Sequence, residues 1–456
     1  MDNASLKQQK DRLERMFASG KTKHWDYRIR QLRALKKSLI EHKPDIYAAL
    51  QTDLNKSVFE ASMAELGLVL GEIHLAEKKL RSWMKPRRVK KSLPQFPGKA
   101  RQYPEPYGVV LIMSPWNYPL LLSLSPLIGA IAAGNCVVLK PSVDSPRTSR
   151  VMKQILTEAL PDTVLVVEGG REENKQLLEL SFDYIFFTGS TNVGKVVMRS
   201  AADHLTPLTL ELGGKSPAIV DRSADPAMTA KRILFGKLMN GGQTCVAPDY
   251  LWVHESIKDE LVSRLISQAK TMLSGDIARD YVRVINQKHR DRLTDYLKHQ
   301  TILWQADIPT EAGHFPLTLV DQPDWDSRLM QEEIFGPILP IITFDSIDQV
   351  IDKQKSLPKP LALYLFTQDK SVEKEVLEQI SFGGGCINDS LMQLSSAHLP
   401  FGGVGESGLG QYHGPASFDT FSHFKSVLHK RRWGDIPFKY LPYRSPDQEL
   451  WHRILR

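Results

Sequence analysis

Cys245 is the residue of this sequence best suited to covalent chemistry, and it lies in a glycine-rich turn. The apolar run from Ile233 predicts a helix before the turn, and the alternating residues 250–254 predict a strand after it. Glycine in such a turn lets other backbone or a ligand approach closely. The thiol is therefore either a nucleophile or a small buried hydrophobic group, which is the commoner role of a lone cysteine.

Two glutamates lie at similar turns. Glu211 directly precedes Leu212, Gly213 and Gly214, and Glu333 stands before an apolar and aromatic run that ends in glycine and proline. A carboxylate at a glycine turn can act as a general base, and it can equally be a solvated loop acid. The residues alone leave both interpretations open.

Two strand-to-helix turns have the composition of phosphate sites. In one, a predicted strand delivers Lys140 and Ser142 just before a helix, and in the other a strand ends in Gly189 and Ser190, with Gly194 close behind. Parallel sheets bind nucleotides at the carboxyl ends of strands, beside helix N-termini. The spacing of the second turn differs from the usual Gly-x-Gly-x-x-Gly pattern, so each turn alone is equally consistent with an ordinary connection.

The composition is that of an ordinary globular protein with more than one domain. Its 456 residues are too many for a single core, and 24% are charged and 42% hydrophobic. The formal net charge of +7 is spread along the chain without a nucleic-acid-binding module, so no nucleic-acid partner is expected. Three distant cysteines form neither a disulfide framework nor a zinc pattern, which favours a reducing, cytoplasmic location and no metal site.

The most membrane-like window is residues 119–139, which contains no charged residue. Prolines and glycines interrupt it, so it is predicted to be a buried helix followed by a buried strand. Neither end of the chain has an apolar run, so no secretory signal and no transmembrane anchor are expected. The basic, aromatic tail 425–456, including Tyr443 and Trp451, is interpreted as a subunit contact in preference to a membrane-surface contact.

The candidate residues must be positioned by the elements around them. Helical spacing of apolar residues over 26–49 and 60–80 predicts packed helices in the first 80 residues. From residue 100, short apolar strands alternate with helices, which is typical of an α/β fold with a parallel sheet covered on both faces. Strands are predicted at 107–113, 136–139, 164–167, 184–187, 217–220, 250–254, 339–344 and after Pro415, and helices at 126–133, 145–160 and 256–272.

Seven short motifs stand out along the chain: Pro115-Trp116-Asn117, Lys140-Pro141-Ser142, Phe187-Thr188-Gly189-Ser190, Glu211-Leu212-Gly213-Gly214-Lys215, Gly242-Gln243-Thr244-Cys245, Glu333-Ile334-Phe335-Gly336-Pro337 and Pro400-Phe401-Gly402-Gly403. In this order they resemble the aldehyde dehydrogenase superfamily, from about Asp26 to about Ser426. The residues after Cys245, and those at 417–423, are most similar to the class 3 branch.

The resemblance implies a three-part architecture. A Rossmann-like cofactor domain would comprise residues 1–80 and 113–209, and an α/β catalytic domain residues 210–410. A small β bridging and oligomerisation element with the tail would comprise residues 81–112 and 411–456. A homodimer is the class 3 expectation, and unpaired strand edges in the bridging element would favour it.

The resemblance also implies a mechanism for aldehyde oxidation. The Cys245 thiolate would attack the carbonyl, and the Asn117 side chain with the backbone N–H of Cys245 would hold the oxyanion. Oxidation by the nicotinamide of NAD or NADP would leave a thioester, and Glu211 would activate the water that hydrolyses it.

The implied cofactor contacts divide by the part of the nucleotide that they touch. Lys140 and Glu333 match positions that bind ribose hydroxyls, Phe335 one near the nicotinamide, and Gly189 and Ser190 a turn beside the pyrophosphate. The full set is Trp116, Lys140, Ser142, Gly189, Ser190, Gly194, Leu212, Gly213, Glu333 and Phe335.

One departure from the family pattern concerns cofactor choice. The family commonly has a glutamate after Lys-Pro-Ser, which binds the adenosine ribose 2′-hydroxyl; here that position is Val143. Loss of the carboxylate removes a hydrogen bond to NAD and a repulsion against the 2′-phosphate of NADP, while Lys140 remains as a cation. We therefore expect appreciable use of NADP, although the neighbouring Asp144 offers a substitute carboxylate.

Apolar residues beside the motifs are candidates for a substrate funnel, and each could equally be ordinary core. They are Tyr118, Leu121, Met239, Met392 and Leu394. With the class 3 resemblance they suggest small-molecule aldehydes that are medium- or long-chain aliphatic, or aromatic.

Two other functions are considered as alternatives to aldehyde oxidation. An enzyme of related fold could transfer the acyl group to coenzyme A or reduce an acyl phosphate, but Glu211 argues against it because a hydrolytic base would destroy the thioester. A catalytically silent scaffold is disfavoured by the presence of Cys245, Glu211 and Asn117 together. His413 is interpreted as structural.

Overall fold

The structure is a computed structural model that describes residues 3–435, 439–442, 449 and 452. Its first part is helical, as predicted, with α1 (Asn3–Ala18), α2 (Trp25–Glu41), α3 (Lys43–Leu54), α4 (Val58–Ala61) and α5 (Gly67–Trp83). A single π-helical turn, Ser62–Leu66, joins the last two. The helix expected over residues 26–49 is divided at His42, because Pro44 has no N–H and stands in the first turn of a new helix.

The chain then enters the predicted alternation. The elements are β1 (Arg87–Arg88), β2 (Gly98–Pro106), β3 (Val109–Met113), α6 (Leu121–Ala133), β4 (Cys136–Lys140), α7 (Pro146–Ala159), β5 (Val164–Val166), α8 (Arg171–Leu178), β6 (Tyr184–Thr188), α9 (Thr191–Asp203) and β7 (Leu208–Glu211). The apolar window 119–139 is thus a buried helix followed by a buried strand, as predicted. None of the helices in the described part of the chain is long and apolar enough to cross a bilayer.

The second half repeats the alternation. Its elements are β8 (Pro217–Val220), α10 (Pro226–Leu238), β9 (Tyr250–His254), α11 (Lys258–Met272), α12 (Ile277–Asp280), α13 (Gln287–Leu297), β10 (Thr301–Gln305), β11 (Thr318–Asp321), α14 (Arg328–Gln331), β12 (Ile338–Phe344), α15 (Ile347–Ser356), β13 (Ala362–Phe366), α16 (Lys370–Gln379), β14 (Gly384–Ile387), β15 (Gly408–Leu409), α17 (Pro415–Thr420) and β16 (Ser422–Lys430). The strand expected directly after Pro415 begins only at Ser422, because this proline opens α17. Tyr443 and Trp451 of the tail lie outside the described residues.

Three sheets organise these strands. The first has the order β15-β7-β6-β3-β4-β5 and is parallel except for β15, and the second has the order β10-β11-β12-β9-β8-β13-β14 and is parallel except for β10. The third, β1-β2-β16, is antiparallel. Most central strands are buried along their whole length, which explains their continuous apolar sequence. The predicted α/β class is confirmed.

The site depends on the edge where β6 and β7 end side by side. Thr188 and Glu211 are paired at the last rung of the two strands. The Gly189 N–H donates to the Glu211 carbonyl at 3.0 Å, so the two turns that follow these strands are joined directly. Parallel pairing thereby brings together two motifs that are separated in sequence.

Candidate active site

Cys245 lies in a turn between α10 and β9, and hydrogen bonds hold the backbone of this turn. A 3-10 turn, Met239–Gly242, precedes it, with Asn240 and Gly241 in the left-handed region at φ 52° and 59°. The Asn240 side chain donates to the carbonyls of Gln243 (3.0 Å) and Asn117 (2.9 Å), so its unusual backbone angle is stabilised by local hydrogen bonds. The turn is therefore a rigid support for the thiol.

Asn117 approaches the same turn from the end of β3. Its side-chain amide donates to the Gln243 carbonyl at 3.0 Å, and the side chain is buried. An amide carries two N–H groups and this bond uses one. Asn117 is thus bonded to the residue two positions before Cys245, and its second N–H remains for a ligand.

Glu211 ends β7 with its carboxyl group buried, at 2% exposure. Neither oxygen has a hydrogen-bond partner among the described residues, and burial raises its pKa well above the usual value. A buried, unpaired acid is costly to the fold, and such groups concentrate at functional sites.

The thiol of Cys245 is also held in its neutral form. Burial raises its pKa, and the nearby Glu333 and Glu211 raise it further. Because the thiolate is the nucleophile, the site must remove this proton before attack on a carbonyl.

Two cavities meet at these residues. The first, which we call the funnel, is lined almost entirely by apolar side chains, among them all five predicted funnel candidates: Tyr118, Leu121, Met239, Met392 and Leu394. The second, which we call the cleft, is lined by Asn117 and by polar and glycine residues of the motifs. Funnel and cleft share five lining residues: Leu122, Thr188, Glu211, Leu212 and Cys245.

The cleft contains seven of the ten predicted cofactor residues: Trp116, Gly189, Ser190, Leu212, Gly213, Glu333 and Phe335. Gly194 lies behind it in the first turn of α9, where a Cβ would come 2.6 Å from the side chain of Leu212. Trp116 packs edge-on against Phe335 at 5.4 Å between ring centroids. The two aromatic rings form one wall of the cleft.

Lys140 and Ser142 lie apart from the residues that line the cleft, at the carboxyl end of β4. The Lys140 ammonium donates to the carbonyls of Pro141 (2.8 Å) and Gly169 (2.7 Å), and burial lowers its pKa to about 8. Val143 is 57% exposed, and the backbone N–H of Asp144 donates to the Ser142 hydroxyl at 3.2 Å. Because β4 neighbours β3, this group shares a sheet edge with the cleft.

Glu333 reaches the cleft from the second half of the chain. A Cβ on Gly213 would overlap its carboxylate, so the glycine makes room for the acid. One of the carboxylate oxygens is buried without a partner in the described part of the chain. Burial, together with Asp249, raises the pKa of Glu333 to about 8.

Several residues at the site carry no sequence signal of function. The His289 ring packs at a tilt against Trp116, with 5.2 Å between ring centroids, and burial and the nearby Arg292 lower its pKa to about 4. Lys56 and Glu65 form a buried ion pair beneath Asn117. Lys56 lies in the loop after α3 and Glu65 in the π-helical turn, where charged residues are usually exposed, so the sequence gives no indication of their burial.

His413, which was interpreted as structural, is among the residues that line the funnel. It has φ 87° and stacks on Phe401 at 5.6 Å. In the described part of the chain, no cluster of three or more His, Cys, Asp or Glu side chains could hold a metal ion.

Comparison with known proteins identifies the family. The family model described as "Aldehyde dehydrogenase family" matches residues 6–427. The chain is 47% identical to 4,4'-diaponeurosporen-aldehyde dehydrogenase of Staphylococcus aureus, covering 94% of this chain and 95% of that protein. It is 48% identical to aldehyde dehydrogenase family 3 member B1 of Bos taurus, covering 92% and 90%.

A solved structure supports the same assignment. The substrate-bound state of Staphylococcus aureus AldH is 44% identical with a TM-score of 0.96, covering 99% of both chains. The chain therefore belongs to the aldehyde dehydrogenase family, with class 3 members among its relatives, and it is an oxidoreductase that acts on aldehydes.

Proposed function

We propose that the protein oxidises medium- or long-chain aliphatic, or aromatic, aldehydes to carboxylic acids with NAD or NADP. The observation that carries this proposal is the meeting, at Cys245 and Glu211, of an apolar funnel and a cleft lined by the predicted cofactor residues. An aldehyde in the funnel would present its carbonyl at the thiol, while the cleft would hold the cofactor on the other side.

Cys245 is the nucleophile of this proposal. Loss of its proton gives the thiolate, whose attack on the aldehyde carbon forms a carbon–sulfur bond and an oxyanion. The second N–H of the Asn117 amide and the backbone N–H of Cys245 would stabilise that oxyanion. Donors of this kind each lower the barrier by about 3 kcal/mol.

The residues of the cleft fit a nicotinamide cofactor. Glu333 offers a buried carboxylate oxygen without a partner among the described residues, which suits a ribose hydroxyl. Gly213 removes the Cβ that would fill this space, and the Gly189–Ser190 turn lies at the N-terminus of α9, where phosphate groups bind favourably. When bound, the oxidised nicotinamide supplies the two-electron acceptor that converts the thiohemiacetal into a thioester.

Glu211 is the general base for hydrolysis of the thioester. Its raised pKa makes the ionised carboxylate a stronger base than an exposed glutamate. Both oxygens lack a partner in the part of the chain that the structure describes, which leaves them available to a water molecule beside Cys245. Proton transfer to Glu211 would generate the hydroxide that attacks the thioester and releases the carboxylic acid.

Cofactor choice follows from Val143. With no carboxylate at this position, an NADP 2′-phosphate meets no repulsion there, and Lys140 is close by as a cation. We expect appreciable turnover with NADP. A kcat/KM for NADP about a thousandfold below that for NAD would contradict this.

The decisive experiment is a panel of aldehydes of increasing chain length, including aromatic ones, assayed with each cofactor and without coenzyme A. We expect reduced cofactor and free carboxylic acid in equal amounts, with kcat/KM rising with apolar length because the funnel is apolar. Dependence on coenzyme A would favour acyl transfer. Retained turnover in Cys245→Ala would contradict the mechanism.

A further inference from the structure

A fully buried ion pair contacts the backbone of Asn117, the proposed oxyanion donor. The Lys56 ammonium is 2.6 Å from the Glu65 carboxylate, and both side chains have 0% exposure. Lys56 follows α3, whereas Glu65 lies in the π-helical turn Ser62–Leu66. A buried ion pair is weak evidence for stability, because desolvation opposes the attraction between the charges. A positional role is the alternative explanation, and single π turns are frequent at functional sites.

The pair binds the segment that links β3 to α6 at two points, the Asn117 carbonyl and the start of α6. Lys56 donates to the Asn117 carbonyl at 3.2 Å and lies 4.2 Å above the ring of Tyr118. The second oxygen of Glu65 accepts the backbone N–H groups of Leu120 (2.9 Å) and Leu121 (3.2 Å). The backbone that follows the Asn117 side chain is therefore held at two points by one salt bridge.

A second donor reaches the same carbonyl from the catalytic turn. The Asn240 amide donates to the Asn117 carbonyl at 2.9 Å and to the Gln243 carbonyl at 3.0 Å. Lys56 and Asn240 thus hold the Asn117 backbone from two sides. Without Lys56, Asn240 is the remaining donor to this carbonyl among the described residues, and Glu65 keeps its bonds to Leu120 and Leu121 but loses its counter-ion.

We propose that Lys56 and Glu65 are positioning residues that hold Asn117 in the geometry required of an oxyanion donor. This inference rests on the proposed function, in which Asn117 stabilises the oxyanion formed at Cys245. A displacement of about 1 Å of such a group lowers the rate by about 100-fold. The pair acts through Asn117 and does not itself touch the substrate.

The test is a double-mutant cycle with Lys56→Met and Asn117→Ala, measuring kcat/KM for an aldehyde. We expect Lys56→Met alone to lower kcat/KM by about 10- to 100-fold. In the Asn117→Ala background the same substitution should change it by less than about threefold, since the group being positioned is already absent. Equal factors in both backgrounds would overturn the positioning role.

The rate of Cys245 alkylation distinguishes a loss of Asn117 positioning from a general loosening of the site. Alkylation of Cys245 by iodoacetamide forms no oxyanion, so its rate should stay within about threefold of wild type in Lys56→Met. A loss of alkylation parallel to the loss of kcat/KM would overturn the proposal. Little effect of Asn117→Ala itself would instead contradict the proposed oxyanion role, which keeps the two failures distinct.

Arg28→Met is the matched control for loss of a buried cation. Arg28 is 5% exposed and donates to the carbonyls of Thr22 and Ala132, away from Asn117. The Arg28→Met variant should have a lower thermal stability, with kcat/KM of the folded protein unchanged.

If Lys56→Met does not fold, Glu65→Gln replaces it in the cycle, because one amide oxygen cannot serve both Lys56 and the two N–H groups. The same dependence on Asn117 is expected, and independence from Asn117 would overturn the proposal.

Discussion

The proposed catalytic residues lie in electrostatically unfavourable surroundings. Glu211 has no hydrogen-bond partner among the described residues, and the pKa of both Glu211 and Cys245 is raised by burial. Such positions lower the stability of a fold, and they are frequent where a protein needs a base or a nucleophile.

Glu211→Gln should separate the two chemical steps. We expect one equivalent of reduced cofactor per active site in a rapid phase, followed by turnover reduced by about 10²- to 10⁴-fold, because the thioester forms but no base activates water. Rapid-quench or stopped-flow measurement would show the burst. Wild-type-like steady turnover would contradict the role of Glu211.

The stability of the same variant relative to the wild type should increase as pH rises. Burial raises the pKa of Glu211 above its unfolded value, so the wild-type protein loses stability as pH increases from the unfolded pKa towards the folded one. Glutamine has no charge to bury. The Tm advantage of Glu211→Gln should therefore grow by about 2–4 °C between pH 5 and pH 8. A pH-independent difference, measured by thermal scans, would show that the carboxyl ionises freely.

Val143→Glu tests the cofactor proposal. The new carboxylate should hydrogen-bond an NAD ribose and repel the 2′-phosphate, so kcat/KM for NADP should fall by about 10- to 100-fold relative to that for NAD. Val143→Gln has a similar length without charge and should shift the ratio far less. Equal shifts in both variants would point to shape as the determinant.

At the scale of elements, the connection from β7 to β8 positions both acids. Gly213 and Gly214 let the chain pass close to Glu333, whose carboxylate accepts the backbone N–H of Gly214. The two glycines differ in the space around them. A Cβ on Gly213 would overlap the Glu333 carboxylate, whereas a Cβ on Gly214 would have 3.4 Å to its nearest neighbour, Leu361.

Gly213→Ala should therefore displace Glu333 and raise the KM for the cofactor by about 10- to 100-fold. Gly214→Ala is the matched control and should change this KM by less than about threefold, because its Cβ makes an ordinary contact. Steady-state titration of the cofactor at saturating aldehyde would measure both. Similar effects of the two variants would mean that chain stiffness, and not the displaced acid, is responsible.

Sequence patterns predicted most of the strands, because these strands are continuous apolar runs. The division of residues 26–49 at His42 was missed, since the helical spacing continues across Pro44. At the candidate site, Cys245, Glu211 and Asn117 were predicted from glycine turns and motifs. Lys56 and Glu65 could not be predicted, because charged residues in loops and helices are usually solvated and only the tertiary structure buries this pair.

At the scale of the whole molecule, the three sheets provide a basis for three domains. We propose that the first sheet is the centre of the cofactor domain, the second of the catalytic domain, and β1-β2-β16 of the bridging element. β16 is an edge strand of the third sheet among the described residues, and its carboxyl-terminal half is largely exposed. An open edge of this kind is favourable for pairing with another chain.

We therefore expect a homodimer in solution. Light scattering coupled to size-exclusion chromatography should give twice the mass of one chain at micromolar concentration, because pairing would satisfy the open strand edges. A monomer that persists across this concentration range, and that retains full activity, would contradict the expectation.

The two cavities have a consequence for how the protein can diverge. Met63 and Leu394 line the funnel alone, whereas Trp116 and Glu333 line the cleft alone. Mutational drift in the funnel can therefore change which aldehydes are accepted while nucleotide affinity is preserved, so duplicated genes can acquire new substrates one substitution at a time.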